Sequence, residues 1–246
     1  IIDKLDSLVG FFLINEKPTS SKDPFALRRA AIGLLRIVIE NNLELKLKDL
    51  ISYTVRLYVD QGVKIENNQV EKEILYFLKE RMRNILKEKK IKPDIIEAAI
   101  SSHTGDNYLV LYKKSMVMNK NFNKDIGKDA IYSFKRASSI LDQESKKSTK
   151  ELTGRPDAVL FRKDEEKFLF EELNEIRKSF TVKEDRKDYE ELLAKLAAIK
   201  KSTDNFFDNV VVNDENQDIK NNRLELMSMF CKTFNYYIDF SKLNRI

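Results

Sequence analysis

Apolar residues recur along the chain at intervals of three and four, which is the spacing of helices that bury one face. In the N-terminal half, Asp23 predicts the start of a helix, because Asp is a favourable N-cap and Pro24 suits the first helical position. Residues 1–15, before that start, fit the end of a helix and a loop. The other helices predicted in this half are 47–59, 70–86, 93–100 and 108–118, the last of which is also compatible with a strand.

The C-terminal half has longer periodic stretches. Residues 143–155 are rich in Ser, Lys and Thr, which predicts a polar linker or an exposed loop. A last helix over 217–240 carries an apolar stripe from Met227 to Ile238, which we expect to face the core. The further helices predicted in this half are 125–141, 165–180 and 184–207, and residues 208–213 form a loop or an extended connection.

The composition favours an all-α protein made of helical bundles. The 246 residues include only 6 Gly and 4 Pro, too few for the turns of a β-sandwich or barrel, while 42% hydrophobic residues suffice for a core. At about 150 residues per domain, this length allows one large or two modest domains. No apolar run approaches the roughly 20 residues that cross a bilayer, so we expect no membrane segment. The chain begins with Ile1 rather than Met, so we expect it to be part of a longer polypeptide.

A single Cys and a single His exclude several chemistries. A Cys/His zinc site and a disulfide within the chain both need more such residues, and no glycine pattern for dinucleotide or P-loop phosphate binding occurs. His103 has no second histidine nearby, so we expect it on a surface loop. Asp3 and Asp6 would share a helix face, which favours a solvated surface over a divalent-cation site. We therefore predict no catalytic residue and no metal ligand.

Cations accompany aromatic and amide residues in the C-terminal helices. Cations can hold phosphates and aromatic rings can stack on unpaired bases, which is how single-stranded RNA loops are usually recognised. The alternative is that Phe206 or Phe207 belongs to the core and that the lysines are ordinary solvated surface, because the net charge of +5 is small for this length. The candidate RNA-binding residues are Lys135, Arg136, Lys200, Lys201, Asn205, Phe206, Asn209 and Arg223.

Two groups of segments carry a family resemblance. The N-terminal segments are 3–6, 8–10, 17–19 and 21–31, of which the last, SKDPFALRRAA, is long and specific. The C-terminal segments are 134–136, 206–210 and 222–226. In this order and spacing they resemble the β subunit of the bacterial tetrameric glycyl-tRNA synthetases, over essentially the whole chain.

The resemblance implies two domains in this chain and a catalytic site in another subunit. Residues 1–124 would be the tail of an HD-like helical domain and the helices after it, and residues 125–246 a helical anticodon-binding domain of the type shared with arginyl-tRNA synthetase. The partner α subunit of an α2β2 tetramer would carry the site that activates glycine with ATP and Mg²⁺, so no cofactor is expected in this chain. The chain would then be a cytoplasmic, tRNA(Gly)-binding part of glycine–tRNA ligase.

Two other functions remain open at this point. The chain could be a structural helical scaffold that only docks the catalytic subunit, in which case it would show no anticodon preference. It could also be an inactive fragment of an HD-type hydrolase, in which Asp3 sits where that fold often places its final aspartate but has no histidine partners in this chain.

Overall fold

A computed structural model describes residues 1–19, 21–64, 69–103, 107–145, 152–181 and 188–244. Regular structure in these residues is helical, without a β-strand, as the composition predicts. The chain forms two compact units, of which the first contains Ile1–Ile96 and His103–Ser115 and the second Glu97–Ser102 and Met116–Ile246. The domain boundary that we place between residues 124 and 125 stays a prediction, because packing units need not coincide with functional domains.

The first unit is built on helices α1 (Ile2–Leu13), α2 (Leu27–Glu40), α3 (Leu47–Asp60) and α4 (Val70–Glu88). Helix α1 packs against the other three, and α4 also contacts α2 and α3. The apolar stripes of α1, α2 and α4 meet in the core, where Leu8, Leu34 and Leu78 are fully buried. Helical periodicity therefore fixes both the existence of these helices and the faces that they bury.

The start of α2 differs from the prediction. The helix begins at Leu27 rather than at Pro24, and Ala26 before it has a left-handed backbone with φ of 54°. Asp23 nevertheless caps the helix from outside, because its Oδ1 accepts the Leu27 N–H at 2.8 Å and its Oδ2 accepts the Arg28 N–H at 3.0 Å. The carboxylate thus satisfies two first-turn amides while the residues between form a turn.

Two helices contain the boundary between the units. These are α5 (Pro93–Ser102) and α6 (Tyr108–Asn121), and the latter confirms that residues 108–118 are helical.

In the first unit, the His103 ring lies 4.7 Å from that of Tyr108, and its Nε2 is buried without a hydrogen-bond partner among the described residues. Burial, helped by the charges of Lys79 and Lys114, lowers the pKa of His103 to about 4. His103 follows the end of α5, in agreement with the predicted loop position, but its ring is largely buried rather than freely exposed.

The second unit contains five further helices, α7 (Asp125–Ser145), α8 (Asp164–Phe180), α9 (Tyr189–Ala198), α10 (Lys200–Asn209) and α11 (Gln217–Asn235). Helices α7 and α8 each pack against α9, α10 and α11. Phe234 of α11 lies at the centre of the core, with ring centroids 6.0 Å from Phe134, 4.7 Å from Phe230 and 5.1 Å from Phe240. The predicted inward stripe of the last helix is confirmed, since every residue we placed on it is buried: Met227, Phe230, Cys231, Phe234 and Ile238.

Three predicted helix ends in this unit are wrong. The single helix predicted over 184–207 is two helices, since regular helix is interrupted at Ile199, where ψ of −9° departs from the ideal helical value. Residues 182–187 lie outside the described residues. The last helix ends at Asn235, and a short 3₁₀-helix, Phe240–Lys242, follows. Helix α7 extends beyond residue 141 to Ser145, into the segment predicted as a linker, of which 146–151 are also outside the described residues.

The segment 152–157 is held against α11 by side chains of that helix. Glu225 Oε2 accepts the Gly154 N–H at 2.6 Å and two further hydrogen bonds from the residues on either side of it. Asn222 accepts the Asp157 N–H at 2.6 Å and donates to the Asp157 carbonyl at 2.9 Å. Gly154 has φ of +71°, and a Cβ there would lie 3.2 Å from backbone atoms of Met229, so glycine suits both the conformation and the contact.

Along the described chain, no helix combines the length and the apolarity that crossing a bilayer requires.

Candidate nucleic-acid interface

A groove of about 760 Å³ runs along the surface of α7 in the second unit. The residues of α7 that line it recur at helical spacing, so they share one face of the helix: Lys128, Asp129, Ile131, Tyr132, Lys135, Arg136 and Ser139. Helix α10 completes the lining with Lys200. Four cations therefore surround an aromatic ring that is 50% exposed, that of Tyr132.

Arg136 is held by α10. Its Nη1 donates to Asp204 at 2.7 Å and its Nη2 to Asp208 at 3.2 Å. The guanidinium also lies 4.7 Å from the centroid of the Phe207 ring. Arg136 consequently joins α7 to α10, and a phosphate that approaches it competes with two carboxylates.

Lys200 reaches the groove from the first turn of α10. Its Nζ donates to Asp204 at 2.9 Å and lies 5.4 Å from the centroid of the Tyr132 ring. The hydrogen bond and the charge of Asp204 raise the pKa of Lys200, so this side chain stays protonated at neutral pH. The cation is thus placed beside the exposed ring, where a nucleotide phosphate would lie if the base stacked on Tyr132.

The other predicted polar residues are at the surface. Lys135 donates to the carbonyl of Ser241 at 3.1 Å and is partly exposed at the groove. Lys201, Asn205 and Asn209 are exposed on α10 but do not line the groove. Asn209 Nδ2 donates to both the carbonyl and the Oδ1 of Asn205, each at 2.9 Å, so the two amides form one local pair.

Phe206 is a core residue, which corrects its assignment as an RNA-binding aromatic. Its side chain is fully buried, so no ring face is available for a base. Phe207 packs edge-on against it, with centroids 5.2 Å apart, and is partly exposed beneath Arg136. The structure therefore shows that Phe206, rather than Phe207, is the core residue of this pair.

Arg223 is also a structural residue, which corrects a second assignment. It is only 3% exposed. Its Nε donates to Glu166 at 2.8 Å, and its Nη1 donates to Asp214 at 2.7 Å and to the Val211 carbonyl at 2.8 Å. These bonds join α11 to α8 and to the loop after α10, so the guanidinium is not available to a phosphate.

Sequence reasoning missed three residues of the groove, Lys128, Asp129 and Tyr132. They precede Lys135 by seven, six and three positions, which puts them on or beside the same helix face. Extending the α7 face backwards from the predicted Lys135–Arg136 pair would have identified them.

The acidic pair predicted near the N-terminus lies at the surface. Asp3 and Asp6 are exposed on α1. Within the same ranges, no group of three or more His, Cys, Asp or Glu side chains has the arrangement of a metal site.

Comparison with known proteins divides the chain in two. Residues 1–101 match the glycyl-tRNA synthetase beta subunit family, and residues 130–240 match the DALR anticodon binding domain. Over 99% of its length the chain is 36% identical to the glycine–tRNA ligase beta subunit of Rickettsia prowazekii and 30% identical to that of a Ruegeria species. In each case it spans about a third, 34%, of the relative's length. The residues that line the groove on α7 and α10 lie in the part that matches the anticodon binding domain, except Lys128 and Asp129, which come just before it.

Proposed function

Because this chain belongs to the glycyl-tRNA synthetase beta-subunit family, we propose that its second unit binds the anticodon region of a transfer RNA. The observation that carries the proposal is the groove itself. It brings cations together with the half-exposed Tyr132 ring, and all of its lining except Lys128 and Asp129 falls in the region similar to an anticodon binding domain. Such a site combines the two contacts by which proteins hold unpaired nucleotides, phosphate neutralisation and stacking.

We assign each residue of this surface a role according to the contacts that it makes. Lys128 holds phosphates at the groove, since it has no carboxylate ion-pair partner among the described residues within 4.0 Å. Lys135, whose Nζ donates to the Ser241 carbonyl, adds its positive charge to the same lining. Tyr132 stacks on a base, and Arg136 fixes the two helices that form the groove. Lys201, Asn205 and Asn209, exposed on α10, contact phosphates or base edges outside the groove.

The wider role follows from the family. We propose that the chain positions tRNA(Gly) for ATP-dependent glycylation by glycine–tRNA ligase, in the cytoplasm. The reaction itself, with ATP and Mg²⁺, is assigned to the α subunit of an α2β2 complex. No catalytic residue is assigned to this chain.

A binding titration tests the proposal. Transfer RNAs that differ only in the anticodon should bind this chain with different affinities, because base contacts supply discrimination on top of the phosphate term. Lys128→Ala should weaken binding of every tRNA and reduce the slope of log affinity against log salt by about 1.

Lys178→Ala provides the matched control, because Lys178 is an exposed lysine of α8 away from the groove lining and should leave the slope unchanged. Equal affinity for all anticodons would instead support the docking-scaffold function. An unchanged salt slope in Lys128→Ala would remove the groove from the binding site.

A further inference from the structure

Asp129 is an unexpected residue in a groove that otherwise carries positive charge. It is the only carboxylate among the described residues that line the groove, and it lies one helical turn before Tyr132. Two cations of the groove pair with other acids, since Arg136 pairs with Asp204 and Asp208 and Lys200 pairs with Asp204. The charge of Asp129 acts on Lys200 as well, where it adds to the raised pKa of that lysine. Within the described chain, Asp129 itself has no hydrogen-bond or ion-pair partner. Its oxygens are therefore available as acceptors in the groove, one helical turn from the exposed ring.

An ionised carboxylate accepts hydrogen bonds but donates none. Cytosine, adenine and guanine each have an exocyclic amino group that can donate to it. Uracil has no amino group, and two carbonyl oxygens flank the single N–H of its pairing edge. A base stacked on Tyr132 is therefore favoured when its amino group faces Asp129, because a uracil carbonyl in that position would place oxygen against oxygen.

We propose that Asp129 is a specificity-determining residue, which accepts a hydrogen bond from the exocyclic amino group of an unpaired base stacked on Tyr132. The groove then selects amino-bearing bases and discriminates against uracil. The proposal rests on the proposed RNA-binding function and adds to it the chemical class of the base.

A purely electrostatic role for Asp129 makes a different prediction. If its charge only weakened the field of the groove, neutralising it would strengthen the binding of all RNAs by the same factor, since phosphates are common to them. A role in base reading instead changes the ratio between amino-bearing and uridine loops. The ratio, rather than the affinity, is therefore the decisive quantity.

The probes are hairpin RNAs with an all-uridine loop, and the same hairpins with one loop uridine replaced by cytidine, adenosine or guanosine. For the unmodified chain, replacement at one loop position should strengthen binding about tenfold. In Asp129→Asn the gain should fall below about threefold, because the amide can also donate to uracil. Tyr132→Ala should lose about tenfold for all hairpins, because the stacking contribution is shared by every base.

Glu171→Gln is the matched control, because it neutralises an exposed carboxylate of α8 and should change neither affinity nor ratio. Circular dichroism verifies that each variant is folded. Failure of the unmodified chain to bind any hairpin would overturn the proposed function. Two results would overturn this inference while leaving RNA binding intact. One is binding of the all-uridine loop as tight as that of the amino-bearing loops, and the other is a ratio of these affinities that stays unchanged in Asp129→Asn.

Discussion

Replacing Arg223 by Met tests a buried ion pair of the second unit. Arg223 donates to Glu166, whose side chain is fully buried, and the two charged atoms are 2.8 Å apart. Met is of similar length and apolar, so the substitution removes the charge while filling much of the space. Glu166 would keep the hydrogen bonds that its Oε2 accepts from the Arg162 and Lys163 N–H groups, each 2.8 Å, but its Oε1 would lose its donor.

Removing one partner of a buried ion pair costs about 3–5 kcal/mol, because an unpaired charge remains in the interior. The second contact of Arg223, with the partly exposed Asp214, adds little to this cost. With a denaturant slope of about 2–3 kcal/mol per molar in urea, the midpoint should fall by about 1–2.5 M.

The assay is urea denaturation followed by far-ultraviolet circular dichroism. Lys167→Met is the matched control on α8, since it breaks only the exposed Lys167–Asp164 pair and should cost less than about 1 kcal/mol. Glu166→Gln added to Arg223→Met should recover part of the loss, because no buried charge then remains. A cost below about 1 kcal/mol for Arg223→Met alone would refute the reasoning.

Two further predictions concern the first unit. His103 has a folded-state pKa of about 4 against an ordinary value of 6.5, so stability should be full above about pH 6.5 and fall by as much as about 3 kcal/mol as the pH drops to 4. The ring protons of this single histidine should titrate near pH 4 by NMR, and a pKa near 6.5 would contradict its burial. Asp23→Ala should destabilise the chain to urea by about 1 kcal/mol through loss of the α2 cap, with Asp23→Asn losing less, and equal stability of all three proteins would contradict the capping role.

Most helices could be predicted from the sequence because their apolar periodicity is local information. The break at Ile199 could not, since Leu196, Ile199 and Thr203 continue the same stripe on both sides of it and all three are buried. Periodicity indicates which residues face the core, so an interruption that leaves the same residues facing the core does not change the pattern. The start of α2 is predicted three residues too early, because an N-cap normally accepts from amides two or three residues later. Asp23 instead accepts from amides four and five residues later.

The candidate site was predictable where side chains share one helix. Lys135 and Arg136 were found, and the α7 face they define leads to Tyr132. The role of Arg223 was not predictable, because its main partner, Glu166, is 57 residues away in the chain. The sequence also could not show which of Phe206 and Phe207 faces the core, because the two are adjacent on a short helix. The packing of α10 against α7 and α8 decides it.

The attachment of segment 152–157 to α11 has a consequence for the order in which the protein takes shape on the ribosome. Glu225, which fixes the Gly154 amide, is synthesised 71 residues after it. At about 5–20 residues per second, translation delivers this anchor roughly 4–14 s later. During that interval the segment has none of the α11 side chains that hold it, so its final conformation is acquired only when the last long helix emerges.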